Sequence, residues 1–414
     1  MYRFLLPLSL AAIALSAAAQ PARMLEGAGP LTLPVALRMA LDANAELSAA
    51  RNELQAAEAS VLQAGVLPNP ALEMLVEDRR RETRETTLLF NQPVELGGKR
   101  SARLSVAERG KDAAAAEFQA KRAEVRAAVI TAFFDVLAAQ ERMRLAEASV
   151  QLAQRGTETT SRRVTAGKVS PVEETKARVA ESSVRLELIQ AKAELATARK
   201  RLAVIWGNPA PHFERAEGRF DALPELPDLK ELSSRMTSAP TMVRARSELD
   251  RHQALARLES SRRIPDLTVS LGVKRSEEQG RNLAIVGVSI PLPLFDTNRG
   301  NVLEALRRTD KARDELFAAG IRLDGEIAQA FERLNIARQE AQALQKEILP
   351  GAQSAYEAAT KGFEYGKFGF LDVLDAQRTL LQAQSQYLRA LSEAHRAAAD
   401  IDRLLGEPLD ATKP

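Results

Sequence analysis

The chain repeats itself, and the repeat constrains the fold more than any other feature. Pro68 in LPNP is echoed by Pro265 in RIPD, and Pro93 in NQPVEL by Pro291 in SIPLPL. Ala132-Phe133 returns as Ala330-Phe331, Gly167-Lys168 as Gly366-Lys367, and Gly207 as Gly406. All five offsets lie close to about 198 residues, a period long enough to hold several helices and strands. Proline and glycine punctuation matches along with apolar composition, so the duplication is of a folded unit and not of alanine-rich helix chemistry alone. Residues 35–206 form the first copy and 229–406 the second. Residues 20–34 read as an extended lead-in, 207–228 as a proline-rich connector and 407–414 as a tail.

Each copy opens with a helix-compatible stretch, Val35 to Ala64 and Leu229 to Ser261. A pair of strand candidates follows in each, about 71–77 and 86–92, then about 266–274 and 282–290. In DLTVSLGVK, Leu267, Val269, Leu271 and Val273 alternate with Thr268, Ser270, Gly272 and Lys274, which gives one apolar face. The second strand of each pair runs into proline, Pro93 or Pro291, where the missing N–H is expected to end the ladder. The period then changes. Between Lys99 and Arg155 only Gly110 interrupts a helical pattern that would extend ~86 Å at 1.5 Å per residue. The second copy is proline-free from Asn301 to Leu349, although Gly320 and Gly325 argue against one unbroken helix. Turns TAGKVSP and YGKFGF lead into return helices, Val172 to Trp206 and Leu371 to Leu405, so each copy carries a long antiparallel helical hairpin. In the last helix Val373, Leu380, Tyr387, Ala394 and Ile401 recur by seven beside Leu374, Leu381 and Leu388, an apolar arc that needs two neighbours.

Composition removes whole classes of function. Arg3, the apolar run Phe4 to Leu15 and Ala17-Ala18-Ala19 read as a signal peptide over residues 1–19, because the run is too short to span a bilayer. No cysteine is present, so disulfides, thiolate metal sites and a lipidated cysteine are excluded. The balance of 58 Lys+Arg against 55 Asp+Glu supports no nucleic-acid partner. Three His, no nucleotide motif and no Ser/His/Asp arrangement point to no enzyme, no cofactor and no metal site. The 18 aromatics (13 Phe, 4 Tyr, 1 Trp) are too few for a large single-chain barrel with two aromatic girdles. Yet strands of about nine residues suit a tilted membrane crossing, and four cannot close on themselves. Closure requires several chains, and three would make twelve strands.

The duplicated plan, together with GVLPNPALE at 65–73, NQPVELGGKR at 91–100, SIPLPLFDTNRG at 289–300 and FEYGKFGFLDVLDAQRTLL at 363–381, resembles the outer-membrane efflux proteins, the TolC-like outer-membrane factors. Gln92-Pro93 followed by Glu95 to Arg100 looks most like the CzcC-like branch serving cobalt-zinc-cadmium efflux. The resemblance implies a mainly α protein with a small β part. Three copies would assemble as a homotrimer, a 12-stranded β-barrel in outer-membrane lipid set on an α-helical barrel in the periplasm. It further implies a periplasmic adaptor (membrane fusion) protein and an inner-membrane RND-type pump as partners, with the channel conducting passively. Export of drugs or peptides through the same channel, or a periplasmic coiled-coil adaptor or scaffold, remain open alternatives.

By the same resemblance the turns between long helices form the periplasmic tip, with Gly167, Lys168, Gly366 and Gly369 expected to meet the adaptor. Asp372 and Asp375 match the family's paired tip aspartates. Spaced i, i+3, they share a helix face, and threefold symmetry would gather six carboxylates around the pore as a gate. Plain helix chemistry offers another account, since acidic residues favour the first turn of any helix. Where relatives carry a locking Arg, this chain has Phe368 with Lys367 beside it, and Glu173 matches an acidic partner position, so the resemblance allows a Lys367 to Glu173 tether of weaker geometry, since Lys lacks the fork of Arg.

Overall fold

The computed structural model describes residues 26–406 apart from Ala28 and Arg79. The expected signal peptide, the start of the lead-in and the tail from 407 onward lie outside the described residues.

Strand β1 (Leu31–Thr32) runs directly into α1 (Leu33–Ala43), so helix begins inside the expected lead-in. The stretch read as one helix is two, α1 and α2 (Ala45–Ala64), because Asn44 between them is extended. Its Oδ1 accepts the N–H of Leu47 at 2.9 Å, capping α2, while its Nδ2 donates to the Ile205 carbonyl at 2.8 Å. A hairpin of β2 (Ala71–Glu77) and β3 (Glu85–Val94) follows, then the 67-residue α3 (Lys99–Thr165) and the return helix α4 (Pro171–Val204). At ~100 Å, α3 outruns its expected end at Arg155 and passes through Gly156 without a break. Beyond β4 (Ala216–Glu217), the second copy repeats the plan with α5 (Leu229–Arg235), a 3₁₀ turn, and α6 (Pro240–Ser261). Here too one expected helix is divided, because Pro240 biases Ala239 out of the helical region.

The second hairpin is β5 (Leu267–Ser276) and β6 (Arg281–Ser289), followed by α7 (Arg299–Ala343), α8 (Leu349–Glu364) and α9 (Phe370–Leu405). Gly320 and Gly325 sit inside α7 without disturbing it. Helix also continues across Pro350, because a π turn over Leu344–Ile348 widens the backbone just before the residue that would otherwise clash with the preceding turn.

Two apolar cores form, and α9 joins them. Phe133, Val136, Leu202 and Trp206 pack with Leu388 and Leu391 in the first, while Leu323, Leu334 and Phe331 pack with Ala394, Ile401 and Leu404 in the second. The broad apolar arc of α9 therefore does have two neighbours. The connector is no free linker. Phe213, Ala216 and Phe220 are buried in the first core, and β4 pairs in parallel with β1. Gln140 on α3 holds Ala216 at both backbone groups, donating to its carbonyl at 3.0 Å and accepting its N–H at 2.7 Å. Glu26 closes this belt: its buried carboxylate accepts from Trp206 Nε1 at 2.9 Å, from Asn208 Nδ2 and from the His212 N–H at 2.8 Å.

The hairpins join through β3 and β5 into one antiparallel sheet of order β2-β3-β5-β6. Contrary to the expectation from sequence, proline does not end the ladder at β3: Pro93 pairs with Thr268 and Val94 with Leu267. The reason is position. The β2 ladder stops at Asn91, so Pro93 has a single strand neighbour, where a missing N–H is best tolerated. In the second hairpin β6 does stop at Ser289, before Pro291.

Candidate functional site

Two parts of the molecule are placed to act: the sheet at one end of the long helices and the hairpin turns at the other. In the sheet, residues paired across a ladder share a face and successive residues alternate. That rule puts Leu72, Met74, Leu88, Phe90, Leu271, Val273, Val286 and Val288 on one face. All are exposed, Leu72 at 73% and Val286 at 77%, with no element among the described residues covering them. The opposite face carries Glu73, Glu77, Glu85, Asn91, Ser270 and Lys274. There Asn91 donates to Glu73 at 2.9 Å and accepts from the Ser270 hydroxyl at 2.6 Å, and Lys274 pairs with Glu77 at 3.3 Å and with Glu85. Along β3 the apolar face runs from Val94 to Leu88, roughly 20 Å with Gln92 as its one polar residue, and ends at the row holding Thr86, Arg275 and Asn282. One face of the sheet is thus apolar and exposed, the other carries the charged and amide groups beside Leu75, Leu89, Leu283 and Ile285, and among the described residues β2 and β6 each lack an outer neighbour. Among the described residues no helix is long and apolar enough to cross a membrane.

At the other end both hairpins turn in the same way. Gly167 and Gly366 take left-handed φ values of 69° and 75°, which an L side chain rarely adopts. Each closes its helix by donating back, Gly167 to Val164 and Gly366 to Phe363, with Lys168 and Lys367 donating to Arg163 and Gly362. The lysine side chains stay exposed. The next helix in the second copy starts from Gly369, whose N–H donates to Asp372 Oδ2 at 2.8 Å. Asp372 is thus an N-terminal cap for α9. Asp375 is exposed, and among the described residues its carboxylate has no partner.

Within one chain Glu173 pairs with Lys176 at 3.1 Å and forms no pair with Lys367. A contact that sequence reading missed brings the two copies together here. Phe363, buried against Ala177 of the first copy, lies under the guanidinium of Arg163 at 4.4 Å. The ring of Phe368 folds onto Gly362 so closely that a Cβ there would come within 2.0 Å of it. The only sequence signals were an unneeded glycine inside a helix and one of few phenylalanines.

Elsewhere a groove of about 990 Å³ between α3, α4 and α9 is floored by alanines and flanked by Asp135 and Arg396, themselves paired at 2.6 Å. His395 is not poised for metal: it stacks on Phe134 at 3.6 Å, and its Nε2 contacts the Phe220 carbonyl at 3.2 Å. Burial drives its pKa down to about 4 against that hydrogen bond. Among the described residues no group of three or more His, Asp or Glu is arranged to hold a metal ion.

Known proteins share this plan. The crystal structure of the open state of the Neisseria gonorrhoeae MtrE outer membrane channel superposes with a TM-score of 0.78 at 21% identity, covering 91% of this chain and 89% of that one. The outer membrane protein VceC of Vibrio cholerae gives 0.74 at 20% identity, over 91% and 96%. In sequence, the chain is 50% identical to the cobalt-zinc-cadmium resistance protein CzcC of Cupriavidus metallidurans, over 98% of this chain and 100% of that protein. The family described as "Outer membrane efflux protein" matches twice, over residues 36–208 and 232–407. With both copies matched and a full-length relative half identical, the chain belongs to the outer membrane efflux protein family.

Proposed function

We propose that this protein is the outer-membrane channel of a tripartite efflux system that discharges heavy-metal cations. The observation that carries this reading is the two-faced sheet with two open edges. β6 and β2 run in opposite directions, so β6 of one copy can continue the antiparallel ladder onto β2 of the next. Three copies give twelve strands, no remaining edge, lipid against the apolar face and water against the polar one. The long helices then bundle into a tube beneath, and cargo passes without covalent chemistry. Metal cargo is supported by the half-identical relative, whose name assigns it cobalt-zinc-cadmium resistance.

In this assembly the turns at Gly167, Lys168, Gly366 and Gly369 form the end that meets a periplasmic adaptor and, through it, an inner-membrane RND-type pump. Asp372 and Asp375 of three chains ring the pore there as a gate, where clustered carboxylates favour cations or a pairing partner. The first test is the protein mass of the detergent-extracted species from outer membranes. Three chains per particle is expected, and a water-soluble monomer or dimer would overturn the channel.

A further inference from the structure

Below the last rung of β6 the chain reads Ile290-Pro291-Leu292-Pro293-Leu294-Phe295 before α7 starts at Arg299. The alternation outlives the ladder, since Ile290 and Leu292 occupy the positions that follow Val286 and Val288 on the apolar face. Exposure climbs along the segment, 46% for Ile290, 72% for Leu292, 74% for Leu294 and 99% for Phe295. A contiguous apolar run left this bare marks a surface that something covers.

The backbone says what covers it. Pro291 and Pro293 have no N–H, and Leu294 turns its own inward, donating to the Leu292 carbonyl at 2.8 Å. A neighbouring strand from a second copy would therefore find few donors along this stretch. The same economy suits an apolar medium, where every unpaired N–H is expensive. The run then ends abruptly in polar structure: the Asn298 N–H donates to Asp296 at 2.9 Å, and Asn298 Nδ2 donates to the Glu259 carbonyl of α6 at 2.8 Å. An apolar strap continuous with a lipid-facing sheet, tipped by a bare aromatic ring and stopped by a fixed polar turn, has the profile of a membrane-interface anchor.

We infer that residues 290–295 form a lipid-binding strap in the periplasmic-side leaflet of the outer membrane, with Phe295 at the boundary of acyl chains and headgroups. The inference rests on the barrel reading above, because only a membrane sheet puts lipid on that face.

The chain has no cysteine, so Phe295→Cys and, separately, Val286→Cys each introduce a single thiol for a bimane label at an exposed position. The labelled full-length protein is reconstituted in phosphatidylethanolamine/phosphatidylglycerol vesicles. Quenching is read with lipids spin-labelled at shallow or deep acyl positions and with aqueous iodide. The expected result is a loss of Val286 fluorescence to the deep label, a loss of Phe295 fluorescence to the shallow label, and little loss of either to iodide. If Val286 is lipid-quenched but Phe295 is quenched by iodide, the strap is wrong and the barrel stands. Should Phe295 be shielded from both lipid and iodide, a second copy covers it and the inference fails. Iodide quenching at Val286 would remove the barrel reading itself, and the strap with it.

Discussion

The guanidinium of Arg163, on the outgoing helix of the first copy, lies 4.4 Å from the centre of the Phe363 ring, on the outgoing helix of the second. The two hairpin tips of one chain are thereby held to each other by an aromatic ring and a cation, where sequence comparison had suggested a lysine–glutamate pair. Phe363 is also buried against Ala177, so Phe363→Ala removes packing worth about 3 kcal/mol. Arg163→Ala removes only the cation, about 1 kcal/mol, and Arg163→Lys retains a charge there. Hydrogen exchange of the amides at 361–368 is expected to quicken strongly for Phe363→Ala, slightly for Arg163→Ala and least for Arg163→Lys. Unchanged exchange in Phe363→Ala would show that the contact does not order the tip.

Asp372 and Asp375 are not equivalent, despite their matched spacing. Asp372 caps α9 through the Gly369 N–H, so Asp372→Ala loses about 1 kcal/mol of helix-start stability along with a charge. Asp372→Asn keeps an acceptor at the cap and removes the charge alone. Asp375 has no cap to lose. The double variant Asp372→Asn/Asp375→Asn is expected to raise passive ion conductance of the purified channel in planar bilayers. If only Asp372→Ala raises it, the effect is unravelling of the helix start and the gate assignment falls.

Much of the architecture was legible because it is written in local periods. The alternation from Leu267 to Val273 and the seven-residue recurrence from Val373 to Ile401 each record a face that the chain must bury or expose. Local rules failed where tertiary context outweighs them. Pro93 stays in a strand because its other neighbour has already ended, and Pro350 stays in a helix because a π turn makes room. Asn44 divides a helix by reaching Ile205, far along the chain, which no window around residue 44 contains. The tip was legible as turns, through Gly167 and Gly366, but the Arg163–Phe363 contact joins residues two hundred positions apart and has no local signature.

Glu26 ties the segment before α1 to the end of α4 and the connector. Burial alone would raise its pKa, but the hydrogen bonds from Asn208, the His212 N–H and Trp206 outweigh it and hold the carboxyl below its ordinary value. A depressed carboxylate contributes stability above its unfolded pKa and loses it as pH falls through the folded one, so the contribution fades below about pH 4. Glu26→Gln is expected to lower stability at pH 7 by about 2 kcal/mol, since a neutral amide accepts more weakly and brings donors with no partner. Thermal melts at pH 7 and pH 3.5 test this: the gap between parent and variant should narrow at the lower pH, and a constant gap would contradict it.

His395 works at a higher pH and by a different route. Sandwiched against Phe134 and touching the Phe220 carbonyl, it is held neutral, with a pKa lowered to about 4 by burial. The unfolded chain takes up this proton near pH 6.5 and the folded chain only near 4, so the unfolded state binds more protons across that interval. Stability should therefore fall as pH drops from about 6.5 to 4, by about 3 kcal/mol at most from this residue, and level off below. His395→Phe keeps a ring against Phe134 and abolishes the titration. It should melt somewhat lower than the parent at pH 7, having lost the contact to Phe220, yet lose less on acidification to pH 4.5. Identical pH dependence in the two proteins would mean that the imidazole is hydrated in solution and does not clasp the connector to α9 through a neutral ring.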